Sequence, residues 1–441
     1  MTPREQAPAL SVQLQHTAHL LDRVMQGEST TALLAGLPSS LRPGIQALLL
    51  SVLRHAALAR AASTHLVQKP PARPVMALLQ TTLALMNVEP KPYPDHTLVN
   101  QAIEAAKNHR STRHAAGLIN ACLRRWLREA DSMRQVLMAD PTVRWNLPGW
   151  WIERLRADHG RERAQAIMQA YRHPAPMTLR VNARWGDAQK LMTLWEAEGI
   201  AARITDTHCI ELSSPRPVSA LPGFAQGWCS VQDWAAQLAA PLLMEPPTAS
   251  GPDARWLDAC AAPGGKTAHL LELGQAQVWA VDQDPKRVLR IEENLRRIQA
   301  QAQVKVADAA RPHSWWDGKP FDAILLDAPC TASGIVRRHP DVPWLRRESD
   351  VAQLAAQQKQ LLHALWPLLK PGGVLVYCTC SVFKAEGENQ IQTFVQRHNQ
   401  AQRLSAPGHL FPQSAQEPAD LGQNEARDHD GFFYARLRKL G

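Results

Sequence analysis

From about Gly227 to the end, short apolar runs alternate with amphipathic stretches: "RWLDAC", "QVWAVD", "VKVAD", "FDAILLD", "GGVLVYC" and "GFFYARL". Runs this apolar have no polar face, so as strands they must be covered on both sides. The helical stretches between them, such as Lys286 to Arg297 and Val351 to Leu369, can do the covering. The pattern predicts an α/β fold around a mostly parallel sheet, with ligands at the carboxyl ends of its strands. Four consecutive runs end in Asp258, Asp282, Asp308 and Asp327. One aspartate at a strand end is usually a helix cap or turn residue. Four in register beside a glycine loop predict an acidic edge that meets a ligand.

That glycine loop is "DACAAPGGKT". Fitted to the phosphate-binding pattern G-x-x-x-x-G-K-[ST], it places Cys260 where the first glycine belongs. Pro263 also removes an N–H from a loop that would have to present N–H groups to phosphate. No G-x-G-x-x-G is present to mark a dinucleotide site. An adenosyl cofactor without phosphates fits better. It needs close backbone approach over Gly264 and Gly265, a carboxylate for the ribose hydroxyls (Asp282), and one near the adenine edge (Asp308).

The chain upstream is different. From about Val12 to Ala130, segments such as "VMALLQTTLALMN" and "AAGLINACLRRWLREA" repeat apolar residues at helical spacing, broken by "VQKPPARP" and "EPKPYPD". Residues 1–140 read as an all-helical domain, with Asp140 to Pro148 as its exit linker. Residues 141–226 read as a small α+β unit, with strands at "PMTLRVN" and "CIELSS" around a helix. Residues 227–441, with the glycine loop and acidic edge, are expected to form the catalytic domain. The net charge is +9, and residues 1–145 hold 16 Lys/Arg against 9 Asp/Glu, so phosphate contacts are expected in the helical third. The chain has no apolar run long enough to span a bilayer and no secretory leader pattern at its start. The expectation is a cytoplasmic protein with no membrane partner.

Seven scattered cysteines do not form a disulfide framework, and no C-x-x-C pair suggests zinc, so no metal is expected. Cys330 in "LLDAPCTASG" and Cys380 in "VYCTCSV" both fall just past strands, on the cofactor edge. Carbon 5 of a pyrimidine is too weak a nucleophile to take a methyl group from a sulfonium donor. A thiolate adding to carbon 6 makes it strong enough, and a base and an elimination then release the product. Asp327 is placed to hydrogen-bond the ring. The residues alone do not say which cysteine attacks.

Here the chain resembles a known family, the RNA cytosine-5 methyltransferases that use S-adenosylmethionine. "DACAAPGGKTAHLLE" resembles the family's cofactor loop, "DAPCTASGIVRRHPD" its Pro-Cys motif and "YCTCSVFKAEGENQ" its Thr-Cys motif; "DGFFYARL" also matches. The resemblance implies a Rossmann-like methyltransferase sheet and S-adenosylmethionine held by Cys260, Ala261, Ala262, Pro263, Gly264, Gly265, Lys266, Asp282, Asp308 and Asp327. It makes Cys380 the nucleophile and gives Cys330 a role in releasing product. "NQAIEAAK" with "AAGLINACLRR" resembles the helical RNA-binding domain of the bacterial antitermination factor B. That domain on this catalytic unit implies 16S ribosomal RNA as partner, and the family implies a monomer. Arg337, Arg338 and His339, just past the Pro-Cys motif, are expected to line the RNA groove. Cys378 departs from the pattern and is expected to be a buried thiol ending its strand.

Overall fold

The computed structural model describes residues 8–245, 248–413 and 427–441. They divide into two compact units: one comprises residues up to Arg172 together with Arg338–Glu348, the other His173–Arg337 and Ser349–Gly441.

The first unit is helical. The helix Arg73–Met86 ("RPVMALLQTTLALM") is apolar nearly all round, and such a helix can only be stable buried. It runs among Leu10–Val24, Ala56–Leu66, Asp95–Asn108 and Ala116–Leu137, and their shared core is lined by Leu14, Leu49, Leu79, Leu98 and Leu123. Asp140–Pro148, expected as a linker, instead holds the short helix Pro141–Trp145. Asn146, in the left-handed region, ends that helix. Its side chain accepts from the Ala57 N–H (2.8 Å) and donates to the Leu53 carbonyl (2.9 Å), which locks the segment to the bundle. The following helix, Gly149–Tyr171, also belongs to this unit and is broken at Gly160. Arg338–Glu348 packs Trp344 and Leu345 against the helical core, and Asp341 Oδ2 accepts from the Thr30 N–H (3.0 Å).

The second unit holds two sheets. The smaller contains β1 (Met177–Val181), β2 (Ala202–Asp206), β3 (Cys209–Leu212) and β4 (Cys229–Val231), antiparallel in the order β2-β3-β1-β4, with helix Ala188–Ala197 beside it. Two of these strands were legible in the sequence. β2 was not, because it is an edge strand with mostly exposed residues.

The larger sheet contains β5 (Arg255–Ala259), β6 (Gln277–Asp282), β7 (Gln303–Val306), β8 (Phe321–Asp327), β9 (Leu369–Thr379), β10 (Ala401–Leu410) and β11 (Phe432–Lys439), in the order β10-β11-β9-β8-β5-β6-β7. β5 to β9 run parallel; β11 and β10 add on antiparallel. The half-exposed edge strand β10 carries no strong pattern and was not anticipated. The chain leaves β5 toward β6 and β7, then returns to place β8 on the other side of β5. The crevice at the ends of β5 and β8 is therefore the switch point where ligands bind in such sheets. No single helix among the described residues is long and apolar enough to cross a membrane.

Candidate active site

The loop after β5 occupies the switch point. Gly264 has φ +94°, and a Cβ there would stand 3.0 Å from Ile291 Cα, so this position favours glycine. The loop amides are engaged within the fold. Ala261 N–H donates to Val281 O (3.0 Å), Gly264 N–H to Ala261 O (2.8 Å), and Ala262 N–H to Asp282 Oδ2 (3.0 Å). A phosphate cradle needs such amides pointing at the ligand, so the triphosphate reading fails on geometry as well as on sequence. Ala261 and Ala262 turn their side chains into a small core with Val288 and Ile291; Pro263 is exposed, and Gly265 opens the helix Gly265–Leu273.

Arg180, on β1, braces this loop. Its Nη1 donates to the Gly265 carbonyl (3.1 Å). Its Nε and Nη2 grip both oxygens of Glu272 (2.9 and 2.8 Å), and both side chains are 1% exposed. The small sheet thereby holds the base of the loop in place.

A cleft beyond the ends of β5 to β7 is lined by Cys260, Asp282, Gln283, Arg287, Asp308 and Pro329. Asp282 ends β6 nearly buried, accepting the Ala262 and Asp284 N–H groups, with Arg287 Nη2 at 3.7 Å. Asp308 lies two residues past β7, where it also accepts the Ala310 N–H (2.9 Å). Burial, then the neighbouring carboxylates, push the Cys260 thiol well up, so it stays neutral. Asp258 departs from expectation. It precedes the last residue of β5, is fully buried, and accepts from Thr267 Oγ (2.5 Å), so it faces the interior instead of a ligand. Burial raises its pKa to about 7, against the pull of the Thr267 hydrogen bond.

On the other side of the switch point, Asp327 ends β8 directly opposite Cys378 of β9. Lys266 Nζ donates to Asp327 Oδ2 (2.7 Å), and Cys378 Sγ to Oδ1 (3.4 Å). Burial opposes the charge on Lys266, but Asp327 outweighs it, with the Cys378 and Cys380 sulfurs adding to the field, and the ammonium is held above its ordinary range. Cys378 is fully buried, and burial followed by Asp327 keeps it a thiol.

Cys330 Sγ and Cys380 Sγ touch at 3.4 Å, both half-buried. The hydrogen bond to Cys380 comes first in raising the Cys330 thiol well above its ordinary range, then burial, then the charges of Cys380 and Glu386. The Cys330 thiol therefore keeps its own proton beside Cys380. The two loops are stitched directly, Gly334 N–H donating to the Cys380 carbonyl (2.9 Å). A Cβ on Gly334 would sit 1.9 Å from the Gly431 carbonyl oxygen, so no larger residue fits there.

Arg337 corrects the expectation of an RNA-facing cluster. It is fully buried, paired with Asp428 (2.6 Å) and donating to the His173, Pro174 and Gln413 carbonyls, so it ties backbone segments together. Arg338 and His339 are half-buried. Sequence reasoning also passed over Arg287, whose Nη2 donates to the Ala262 carbonyl (2.6 Å), and Glu386, which holds the cysteine loops. Among the described residues, no group of three or more His, Cys, Asp or Glu is arranged to hold a metal ion.

Three family models match the chain: the NusB family over residues 1–128, the ferredoxin-like domain of RsmF/B-like methyltransferases over 147–219, and 16S rRNA methyltransferase RsmB/F over 248–438. The ribosomal RNA small subunit methyltransferase B of Xylella fastidiosa is 40% identical over 430 residues, covering 94% of this chain and 95% of that one. The chain belongs to the RsmB/F family of 16S rRNA methyltransferases. The protein of the same name from Pseudomonas syringae is 43% identical over 359 residues, 79% of this chain and 78% of that one. A methyltransferase homolog from Pyrococcus horikoshii superposes with a TM-score of 0.55 at 27% identity, covering 68% of this chain and 97% of that one. The protein PH0851 shares the fold more widely, with a TM-score of 0.73 at 22% identity over 97% of this chain and 99% of that one. This RsmB/F methyltransferase acts on ribosomal RNA and uses S-adenosylmethionine. Its cleft suits that cofactor: carboxylates suited to hydroxyl and amine donors, and loop amides turned inward where a phosphate ligand would need them.

Proposed function

We propose that this RsmB/F methyltransferase methylates carbon 5 of a specific cytosine in 16S rRNA through a covalent adduct with Cys380. The observation that carries the reading is the 3.4 Å contact between the Cys330 and Cys380 sulfurs, each in a loop just past a strand of the larger sheet. The likeness of "YCTCSVFKAEGENQ" to the family's Thr-Cys motif makes Cys380 the attacking sulfur, with Cys330 in contact beside it. When bound, S-adenosylmethionine supplies an electrophilic methyl group. The loop Cys260–Lys266 would hold it by close backbone approach, Asp282 would accept from its ribose hydroxyls, and Asp308 would accept from its adenine amino group.

The target base leaves its stack to reach the thiolate. Cys380 adds to carbon 6, and the pair of electrons displaced toward carbon 5 forms the new carbon–methyl bond as the methyl group's bond to the donor sulfur breaks and leaves its electron pair on that sulfur. A base takes the proton from carbon 5, and the electrons of that C–H bond restore the ring double bond as the carbon–sulfur bond breaks. Cys330 is in contact to hydrogen-bond the departing sulfur and aid release. Asp327, with 30% of its side chain exposed and its oxygens fixed by Lys266 and Cys378, accepts a hydrogen bond from the cytosine amino group. On the helical unit, Lys107, Arg110, Arg113, Arg124 and Arg128 are exposed and offer phosphate contacts.

The test uses methyl-labelled S-adenosylmethionine with unmethylated 16S rRNA, and transfer RNA as control, followed by digestion to nucleosides. The expected result is label in 5-methylcytidine from 16S rRNA, lost in Cys380→Ala, and an accumulated protein–RNA adduct in Cys330→Ala. Label in another nucleoside, or full activity in Cys380→Ala, refutes the reading.

A further inference from the structure

The Thr-Cys motif runs on into "SVFKAEGENQ", whose first acidic residue is Glu386. Its side chain is completely buried, six residues past Cys380. A carboxylate in such a place needs partners for its oxygens, and the partners here are specific. Oε1 accepts from the Thr331 N–H (2.8 Å) and from Gln358 Nε2 (3.3 Å). Oε2 accepts from Thr331 Oγ1 (2.5 Å) and from Ser381 Oγ (2.6 Å). Thr331 follows Cys330 and Ser381 follows Cys380, so one carboxylate grips the neighbour of each sulfur.

The grip extends outward. Ser333 and Ser381 hydroxyls meet at 2.8 Å, Val382 N–H donates to Ser333 Oγ (2.9 Å), and Phe383 N–H to Ser381 Oγ (3.1 Å). Gln358, which reaches Glu386, also donates to the carbonyl of Pro329 (2.9 Å), the residue before Cys330. Tyr377 OH closes the other end on the Glu386 carbonyl (2.7 Å). All four bonds to the carboxylate come from donors, which suits the ionised form, and charge-assisted bonds of this kind are the strong ones.

We propose that Glu386 is a positioning residue that sets the place and spacing of the two cysteine sulfurs, holding Cys380 where it can add to carbon 6 and Cys330 within reach of it for the elimination step. This rests on the covalent reading of Cys380, but its structural part can be tested separately. A misplacement of about 1 Å at reacting atoms costs on the order of 100-fold in rate, which sets the size of the effect expected if the clamp is lost.

The decisive readout is whether the two thiols still act as a pair. Phenylarsine oxide closes on two thiols held together and binds single thiols poorly. Full-length protein would be titrated with it, alongside S-adenosylmethionine binding and single-turnover methyl transfer to 16S rRNA. Cys330→Ala and Cys380→Ala define the unpaired signal. In Glu386→Ala, arsenical binding should fall to that signal and methyl transfer by ~100-fold, with cofactor affinity within about threefold, since Glu386 does not line the cofactor cleft. Glu386→Gln keeps the shape and one acceptor oxygen and should recover most of both. Arsenical binding and transfer in Glu386→Ala within about threefold of the parent would overturn the proposal, and so would an equal loss of cofactor affinity. If Glu386→Ala does not fold, Thr331→Val with Ser381→Ala removes two of the donors at nearly constant shape and carries the same expectations. Lost arsenical pairing in Glu386→Ala, with Cys380→Ala still methylating RNA, would leave the clamp standing and remove the covalent reading.

Discussion

Asp258→Asn should make the catalytic unit more stable relative to the parent as pH rises, by an amount that grows up to about pH 7 and then levels off. Asp258 is fully buried on β5, and burial raises its pKa to about 7. Against an ordinary value of 3.8, that is a shift of roughly 3 units, or ~4 kcal/mol at 1.36 kcal/mol per unit. The folded protein keeps a proton that the unfolded chain gives up, so the contribution is intact below pH 3.8 and is lost as pH rises through about 7. Between pH 5 and pH 8 the parent should lose ~3 kcal/mol through this residue alone. Asparagine has no charge to bury and still offers Thr267 a carbonyl oxygen. Urea unfolding of parent and variant, followed by tryptophan fluorescence at pH 5, 6, 7 and 8, reads the difference directly. Other titrating groups act on both proteins and cancel. A stability difference that stays constant across that range would refute the reasoning, because it would mean that the buried carboxyl does not titrate in it.

Three further outcomes follow from the same contacts. Arg180→Met leaves Glu272 charged and unpaired in a site 1% exposed, and should cost ~3–5 kcal/mol and weaken S-adenosylmethionine binding through the Gly265 contact. Arg180→Met with Glu272→Leu should recover most of the stability, as a double-mutant cycle in urea would show. Arg337→Ala should lower stability by a similar ~3–5 kcal/mol, measured by denaturation without RNA, because this residue pairs with Asp428 inside the fold; an effect on RNA affinity alone would contradict its placement. Cys378→Ala should keep methyl transfer within about tenfold, since it removes only one weak thiol donor from Asp327; complete loss, measured by label incorporation, would make Cys378 more than a packing thiol.

The apolar runs ending in aspartate determined the α/β class, because strands buried on both faces leave a continuous hydrophobic mark that survives in one dimension. The glycine loop and the two cysteines after strands were legible for a related reason: they sit at element ends, where local sequence and ligand chemistry coincide. The tertiary structure decided what each group faces. Asp258 and Asp282 look alike as strand ends, yet one side chain turns into the core and the other into the cleft. Arg337 looks like a nucleic-acid contact in "RRHPD" and proves to be a buried tie, because its partners lie 91 and 163 residues away along the chain. The two cysteines are equivalent in sequence, and only the tertiary structure brings their sulfurs into contact, with Glu386 gripping the residue after each. Burial and pairing across distant segments set charge states, and neither is written in the local run of residues.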